Sequence, residues 1–291
     1  MSAIASATPR RSILRRSGFH RMPSVFLIAS WAIIGTVVFM AIFGSLIQTH
    51  DPAEQDLLNT SAPPSAEHLL GTDALGRDIM ARIIAGAPAA ITGPLVVAVT
   101  GLLMASSLGI LSGYMGGTID MVIQRFVDFM FALPGLLIAI VIVGVVGGGY
   151  WLAVLVLSLL NFAGGVRILR GASLEQRALP YVEAARTLGV PRHRIMYSHI
   201  WRNIAPIVFA SAALDFALAL VALSSLSYLG LGTSPGVPEW GRMLAENQAL
   251  LFTNPAGVLA PGLAIVLFAT AVTIIGDWIY DRFSFSGRTG R

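Results

Sequence analysis

The sequence predicts an all-α integral membrane protein with six transmembrane helices and both termini cytoplasmic. Three observations carry that expectation. Hydrophobic residues are 55% of the 291 residues and charged residues only 12%, against about 25% charge in a soluble globular chain. Six stretches approach the length of about 20 apolar residues that crosses a hydrocarbon core of about 30 Å. Arginine is distributed very unequally between the segments that join them. The same composition excludes an ordinary cytosolic enzyme and a disordered chain. Cysteine is absent, which removes disulfides, thiol catalysis and thiolate metal sites. Lysine is absent too, and a Walker A phosphate loop needs its Lys.

Taken in order, the first span is Val25–Ile47, free of charge. The second, Ala89–Leu111, carries Gly93-Pro94 near its start. The third, Phe126–Val146, contains Asp128 and Pro134. The fourth, Trp151–Leu169, is the weakest, with Asn161 and Gly164-Gly165 inside. The fifth, Ala205–Gly230, contains Asp215, and the sixth, Val258–Tyr280, has Asp277 near its end. Gly and Pro are tolerated in such helices, where neighbours re-satisfy freed backbone groups and small residues allow close approach. Trp151, Trp240, Trp278 and Tyr280 fall at expected interfaces and read as anchors.

With the N-terminus inside, segments 1–24, 112–125, 166–204 and 281–291 hold 5, 1, 7 and 3 Arg, and segments 48–88, 147–150 and 231–257 hold 2, 0 and 1. Sixteen against three obeys the positive-inside rule. The twin pairs Arg10-Arg11 and Arg15-Arg16 precede an apolar run too long for a signal-peptide core. They read as a lipid-facing flank to an uncleaved first span. The expected organisation is a basic tail (1–24), a first helix with an outer loop (25–88), a five-helix core (89–280) and a second tail (281–291).

Two connecting segments carry motifs. The outer one reads His68-Leu69-Leu70-Gly71-Thr72-Asp73-Ala74-Leu75-Gly76-Arg77-Asp78. Thr72 or Asp73 is placed to cap a short helix from Ala74 toward Ala85, a solvated cap being the plain reading and a polar ligand site the other. The inner segment 166–204 predicts a helix from Leu174 to Leu188, with Val182, Ala185 and Leu188 on one face. Glu183 and Arg186 lie within pairing distance at i,i+3. Gly189 stands where a left-handed C-cap belongs, and Pro191 opens a further helix through Arg192, Arg194, Tyr197 and Trp201.

The stretch Tyr181-Val182-Glu183-Ala184-Ala185-Arg186-Thr187-Leu188-Gly189 resembles the EAA loop of ABC importer permeases, in residues, spacing and position before the penultimate span. Three further stretches are similar to the dipeptide/oligopeptide/nickel branch and to its second permease type, the oligopeptide permease C-like one. They are Leu70 to Asp78, Leu226-Ser227-Tyr228-Leu229-Gly230-Leu231-Gly232 with Pro238-Glu239-Trp240-Gly241, and Pro261 to Ile265 with Gly276-Asp277. The family's Ile-Leu-Pro-Asn is Ile200-Trp201-Arg202-Asn203 here, so the second helix is expected to run smoothly into the fifth span.

The resemblance implies a type I ABC importer-like permease fold and a pathway for peptides. It implies a second homologous permease, ABC ATPases either fused or as two separate subunits, an extracytoplasmic substrate-binding protein and bacterial membrane lipid. It implies no nucleic acid. No cofactor is expected on this chain; ATP and Mg²⁺ belong to the partners. Coupling to the ATPase falls by resemblance to Glu183, Ala184, Ala185, Arg186, Gly189, Arg192 and Arg194. The outer family motif is Gly71, Thr72, Asp73, Gly76, Arg77 and Asp78. Asp215, deep in the fifth span, reads either as pathway lining, with Ser211 and Ser224, or as a structural hydrogen-bond partner of one of those serines. An ion-coupled secondary transporter is the competing class, resting on Asp215 alone and lacking a clear repeat. A membrane serine protease would need a buried Ser–His pair, and none of the five His falls within a span.

Overall fold

The computed structural model describes residues 24–286, and the arginine-rich tail 1–23 and residues 287–291 lie outside them, with the readings made there. α1 (Ser24–Ile47) matches the uninterrupted apolar run that predicts it. Its buried residues are Ser30, Val37 and Gly44, one every two turns, so a single narrow stripe faces the protein. α2 (Ile79–Met115) is 37 residues long and passes through Pro88 and Pro94 without ending. α3 (Gly117–Ala132) and α4 (Gly135–Val146) follow, then α5 (Tyr150–Arg177) and the short α6 (Pro180–Thr187). α7 (Arg192–Arg194), a π turn (Ile195–Ile200) and α8 (Trp201–Tyr228) form one continuous 37-residue rod, as the loss of Leu-Pro at Trp201-Arg202 leads one to expect. α9 (Trp240–Asn247) and a 3₁₀ turn lead to α10 (Ala256–Ser286). There is no strand among the described residues, only an isolated bridge between Thr72 and Asp78.

Five helices are long and apolar enough to cross a membrane, or six if the bent pair α3–α4 is one span. That pair corrects the straight helix expected over Phe126–Val146. Pro134 removes a donor and pushes Leu133 into extended backbone (φ −105°, ψ 132°), and the two axes meet at 75°. The boundary expected at residue 88 falls inside α2, which starts ten residues sooner, at Ile79.

α2 and α5 make the most extensive helix–helix contact among the described residues. Glycine makes the approach possible: a Cβ at Gly113 would lie 2.6 Å from the Arg170 carbonyl oxygen, and one at Gly109 2.9 Å from that of Val166. Asp120 of α3 clamps the same junction, accepting from Arg170 Nε and Nη2 at 2.6 Å each and from the Ser112 hydroxyl. At the other end of α2 the Tyr150 hydroxyl inserts into the helix ladder. It donates to the Ala89 carbonyl and accepts from Gly93 N–H at 2.9 Å.

Three apolar clusters lie along the bundle. One joins Ile110 and Tyr114 of α2 to Val166, Leu169, Val182, Ile195 and Ile200. A second joins Val37, Ile79, Ile83, Phe216, Trp240 and Phe268. The third seats α4, through Ala139 and Val143, against Val97, Val154 and Leu223. Trp240 is therefore no interface anchor. It is 1% exposed and donates from Nε1 to the Ile83 carbonyl at 2.9 Å. Trp151 is 63% exposed and Tyr280 41% exposed.

Candidate functional site

Residues 178–194 close one end of the bundle. The helix expected from Leu174 to Leu188 is two helices, because Pro180 cannot continue α5 and instead starts α6 at its first turn. Val182 (0% exposed) and Ala185 plug into the core, whereas Leu188 is 81% exposed. The expected Glu183–Arg186 pair does not form. Arg186 lies over the Tyr114 ring, 4.9 Å from its centroid, and donates from Nε to the Tyr114 hydroxyl at 3.2 Å. Glu183 and Ala184 are exposed.

Gly189 ends α6 in the left-handed region, φ +74°. Val190 N–H donates to the Ala185 carbonyl and Gly189 N–H to that of Arg186, both at 3.0 Å, the paired bonds of a Schellman turn. Nothing lies within 4 Å of where a Cβ would stand at Gly189, so backbone conformation alone selects glycine. Arg192, His193 and Arg194 are exposed beyond the turn. A cavity of about 410 Å³ opens between Tyr114, Arg177, Arg186, Val190, Arg192 and Ile195. The surface at this end is thus a rim of one acid, one small residue, an apolar side chain and several arginines, mounted on the rod Arg192–Tyr228.

The opposite end is closed by residues 48–78 and 229–255. The motif Gly71 to Asp78 is not a solvated cap. Thr72 and Asp73 are 0% exposed and no helix starts at Ala74. Asp73 Oδ1 instead accepts from the N–H groups of Leu75 (2.9 Å) and Arg77 (3.0 Å), folding a tight turn in which Gly71 (φ +76°) and Gly76 (φ +73°) are left-handed. Asp78 is the residue that caps α2, accepting from Ala81 N–H at 2.6 Å.

Arg77 donates from Nε to Asp73 at 2.7 Å and from Nη2 to Glu246 at 2.7 Å. Arg82 reaches Glu246 at 2.9 Å and the Gly236 carbonyl at 3.1 Å, and Arg242 reaches Glu246 at 3.2 Å. Arg82 is 0% exposed, so this is a buried network, and Glu246 of α9 is its hub. Burial pushes the Glu246 carboxyl up, but the Gly236 N–H and the guanidiniums of Arg82 and Arg77 outweigh it and hold it below the usual range. Glu239, the cap of α9, is pushed up by burial despite its bonds from Gly241 and Arg242 N–H. Asn254 completes the closure, its amide facing the carbonyls of Ala62, Leu70 and Thr72 at 3.1 to 3.2 Å. Sequence reading missed Arg82, Glu246 and Asn254, whose partners lie far along the chain.

Asp215 is 9% exposed, in the middle of α8. A Cβ on Gly101 of α2 would lie 3.6 Å from its Oδ2, and one on Gly165 of α5 4.0 Å from it and 3.8 Å from Ser211 Oγ. Asp215 and Ser211 therefore share one three-helix junction. Ser224 lies elsewhere, with its Oγ buried and unpartnered against the α9 side. No hydrogen bond joins Asp215 to Ser211 or Ser224.

Compared with known proteins, residues 105–286 match the family model described as binding-protein-dependent transport system inner membrane component. The chain is 34% identical over 258 residues to the probable D,D-dipeptide transport system permease protein DdpC of Escherichia coli, covering 89% of this chain and 87% of that one. It is 34% identical over 277 residues to the dipeptide transport system permease protein DppC of Alkalihalophilus pseudofirmus (95% and 90%). It is 32% identical over 249 residues to the oligopeptide transport system permease protein OppC of Bacillus subtilis (86% and 82%).

Proposed function

Because the chain belongs to the family of binding-protein-dependent transport system inner membrane components, we propose that it is the permease subunit of an ATP-driven peptide importer. In this reading it sits as a multi-pass protein in the bacterial cell membrane with both termini cytoplasmic. It lines the pathway together with a second, homologous permease. A substrate-binding protein delivers peptide on the outer side. ATP and Mg²⁺ act on ABC ATPase subunits, fused or separate, below residues 178–194.

The observation that carries the reading is mechanical. Glu183, Ala184, Arg186, Leu188 and Gly189 form an exposed rim, and the Schellman turn ties that rim to a rod of 37 residues. At 1.5 Å per residue the rod is about 55 Å long. A push on the rim is therefore delivered along one element to Asp215, Ser211 and Ser224 at membrane depth. Ala185 seats α6 on the core, and Arg192 and Arg194 supply charge for docking an acidic surface. Nucleotide state biases the transporter only through contacts that differ between its states, and this rim is where such contacts are available.

The test is peptide uptake and ATP hydrolysis by the assembled transporter carrying Gly189→Asn, Gly189→Val or Glu183→Ala. Asn tolerates the left-handed region and is expected to keep uptake coupled; Val does not, and Glu183→Ala removes the exposed acid. Loss of uptake in the last two, with the complex still assembled, is the expected result. Normal uptake in both overturns the coupling role.

A further inference from the structure

The structure points to a divalent transition-metal site at His50, His68 and Asp78, and we propose that it binds a zinc-class ion. The three residues come from separate places: the chain just after α1, the connecting segment, and the cap of α2. One ligand atom of each lies within 4.8 Å of one ligand atom of each of the others. His68 Nδ1 and Asp78 Oδ2 are 2.9 Å apart, and the His50 and His68 rings face each other with centroids 4.7 Å apart.

Two neutral imidazoles and a carboxylate are a donor set that suits zinc and its neighbours rather than calcium or magnesium, which prefer all-oxygen shells. Zinc binds such donors at about 2.0–2.2 Å, so tetrahedral ligand atoms stand about 3.4 Å apart. The His68–Asp78 edge needs to open by about 0.5 Å, and His50 needs to close by no more than about 1.4 Å from the observed 4.8 Å limit. His50 and His68 are both partly exposed, whereas Asp78 is 4% exposed and held by its bond from Ala81 N–H.

The ion takes the place of the proton between His68 Nδ1 and Asp78 Oδ2, His50 supplies the third ligand, and water the fourth. Binding therefore releases a proton whenever His68 enters protonated. Asp56 interacts electrostatically with His68, which adds negative charge beside the site. The consequence is structural. An ion here ties the end of α1, otherwise held by its narrow stripe, to the first turn of α2.

The test uses the full-length chain without a polyhistidine tag, purified in detergent and stripped with a chelator. Zn²⁺ is titrated by calorimetry, and Co²⁺ by its visible absorption. One equivalent of Zn²⁺, a tetrahedral Co²⁺ spectrum, and at least 10-fold weaker binding in both His50→Ala and His68→Ala support the site, with His199→Ala as the unaffected control. His50→Gln keeps a polar side chain but offers no imidazole; its metal-free unfolding temperature is expected to match the wild type. Failure of the wild type to bind stoichiometrically, or unchanged affinity in His50→Ala and His50→Gln, overturns the assignment. The outcome is independent of what the transporter carries.

Discussion

Replacing Glu246 with glutamine keeps the shape of the buried network and removes its central charge. Glu246 accepts from Arg77, Arg82, Arg242 and the Gly236 N–H. Its two closest guanidiniums are 4% and 0% exposed. Removing one partner of a buried pair costs about 3–5 kcal/mol, because the other charge stays buried and unpaired. Asp73 still faces both arginines, at 2.7 Å and 3.7 Å, so the lower end applies, about 3 kcal/mol, or about 140-fold in the folded-to-unfolded ratio. At about 2–4 °C per kcal/mol for a chain of this size, unfolding moves down by about 6–12 °C. Trp240, buried on the same helix, is one of five tryptophans that supply the fluorescence signal. A double-mutant cycle with Arg82→Met is expected to return a coupling of at least about 1 kcal/mol. An unfolding temperature for Glu246→Gln within about 1 °C of the wild type, together with no coupling to Arg82, would refute the view that this network fastens the end of the bundle.

Acidification tests the same residue. The folded carboxyl of Glu246 lies below its ordinary value of about 4.3, so its contribution is complete above that pH and is lost as pH falls through the folded value. Wild-type unfolding temperature is expected to drop over that window more steeply than that of Glu246→Gln; Glu239, pushed the other way, contributes equally to both and cancels. Gly241→Ala would set a methyl within 2.6 Å of three backbone atoms of Ser224. A loss of about 1–3 kcal/mol is expected from that overpacking of α8 against α9, read by the same fluorescence signal.

What sequence could show, and what it could not, follows the range of the forces involved. The turn at Gly189 was legible because a left-handed C-cap is a local preference. α1 was legible because nothing interrupts its apolar run. Proline was ambiguous. Pro88, Pro94, Pro206 and Pro261 all lie inside helices, whereas Pro134 separates two. Proline alone does not separate the two cases; at Pro134 the packing of α4 against Val97, Val154 and Leu223 holds the second limb at its angle. Leu188 was misplaced because it stands six residues after Val182 and just past the end of α6, where 3.6 residues per turn carries it off the buried face. Glu246 was invisible because its partners Arg77 and Arg82 precede it by 169 and 164 residues. A single acid on the eight-residue α9 carries no sign of them. The motif Gly71 to Asp78 was recognised, but its buried, load-sharing role depends on that unseen partner.

The elbow at Leu133–Pro134 also sets how the protein meets a bilayer of given depth. Sixteen residues of α3 and twelve of α4 rise about 24 Å and about 18 Å. Joined at 75°, they reach about 33 Å from tip to tip, close to a hydrocarbon depth of about 30 Å. Neither limb can then stand upright; both slant, like the legs of a drawing compass. Closing the angle by about 10° shortens the reach by about 2 Å. A thinner or thicker membrane is thus accommodated by opening or folding this corner, while the long straight rods can only tilt.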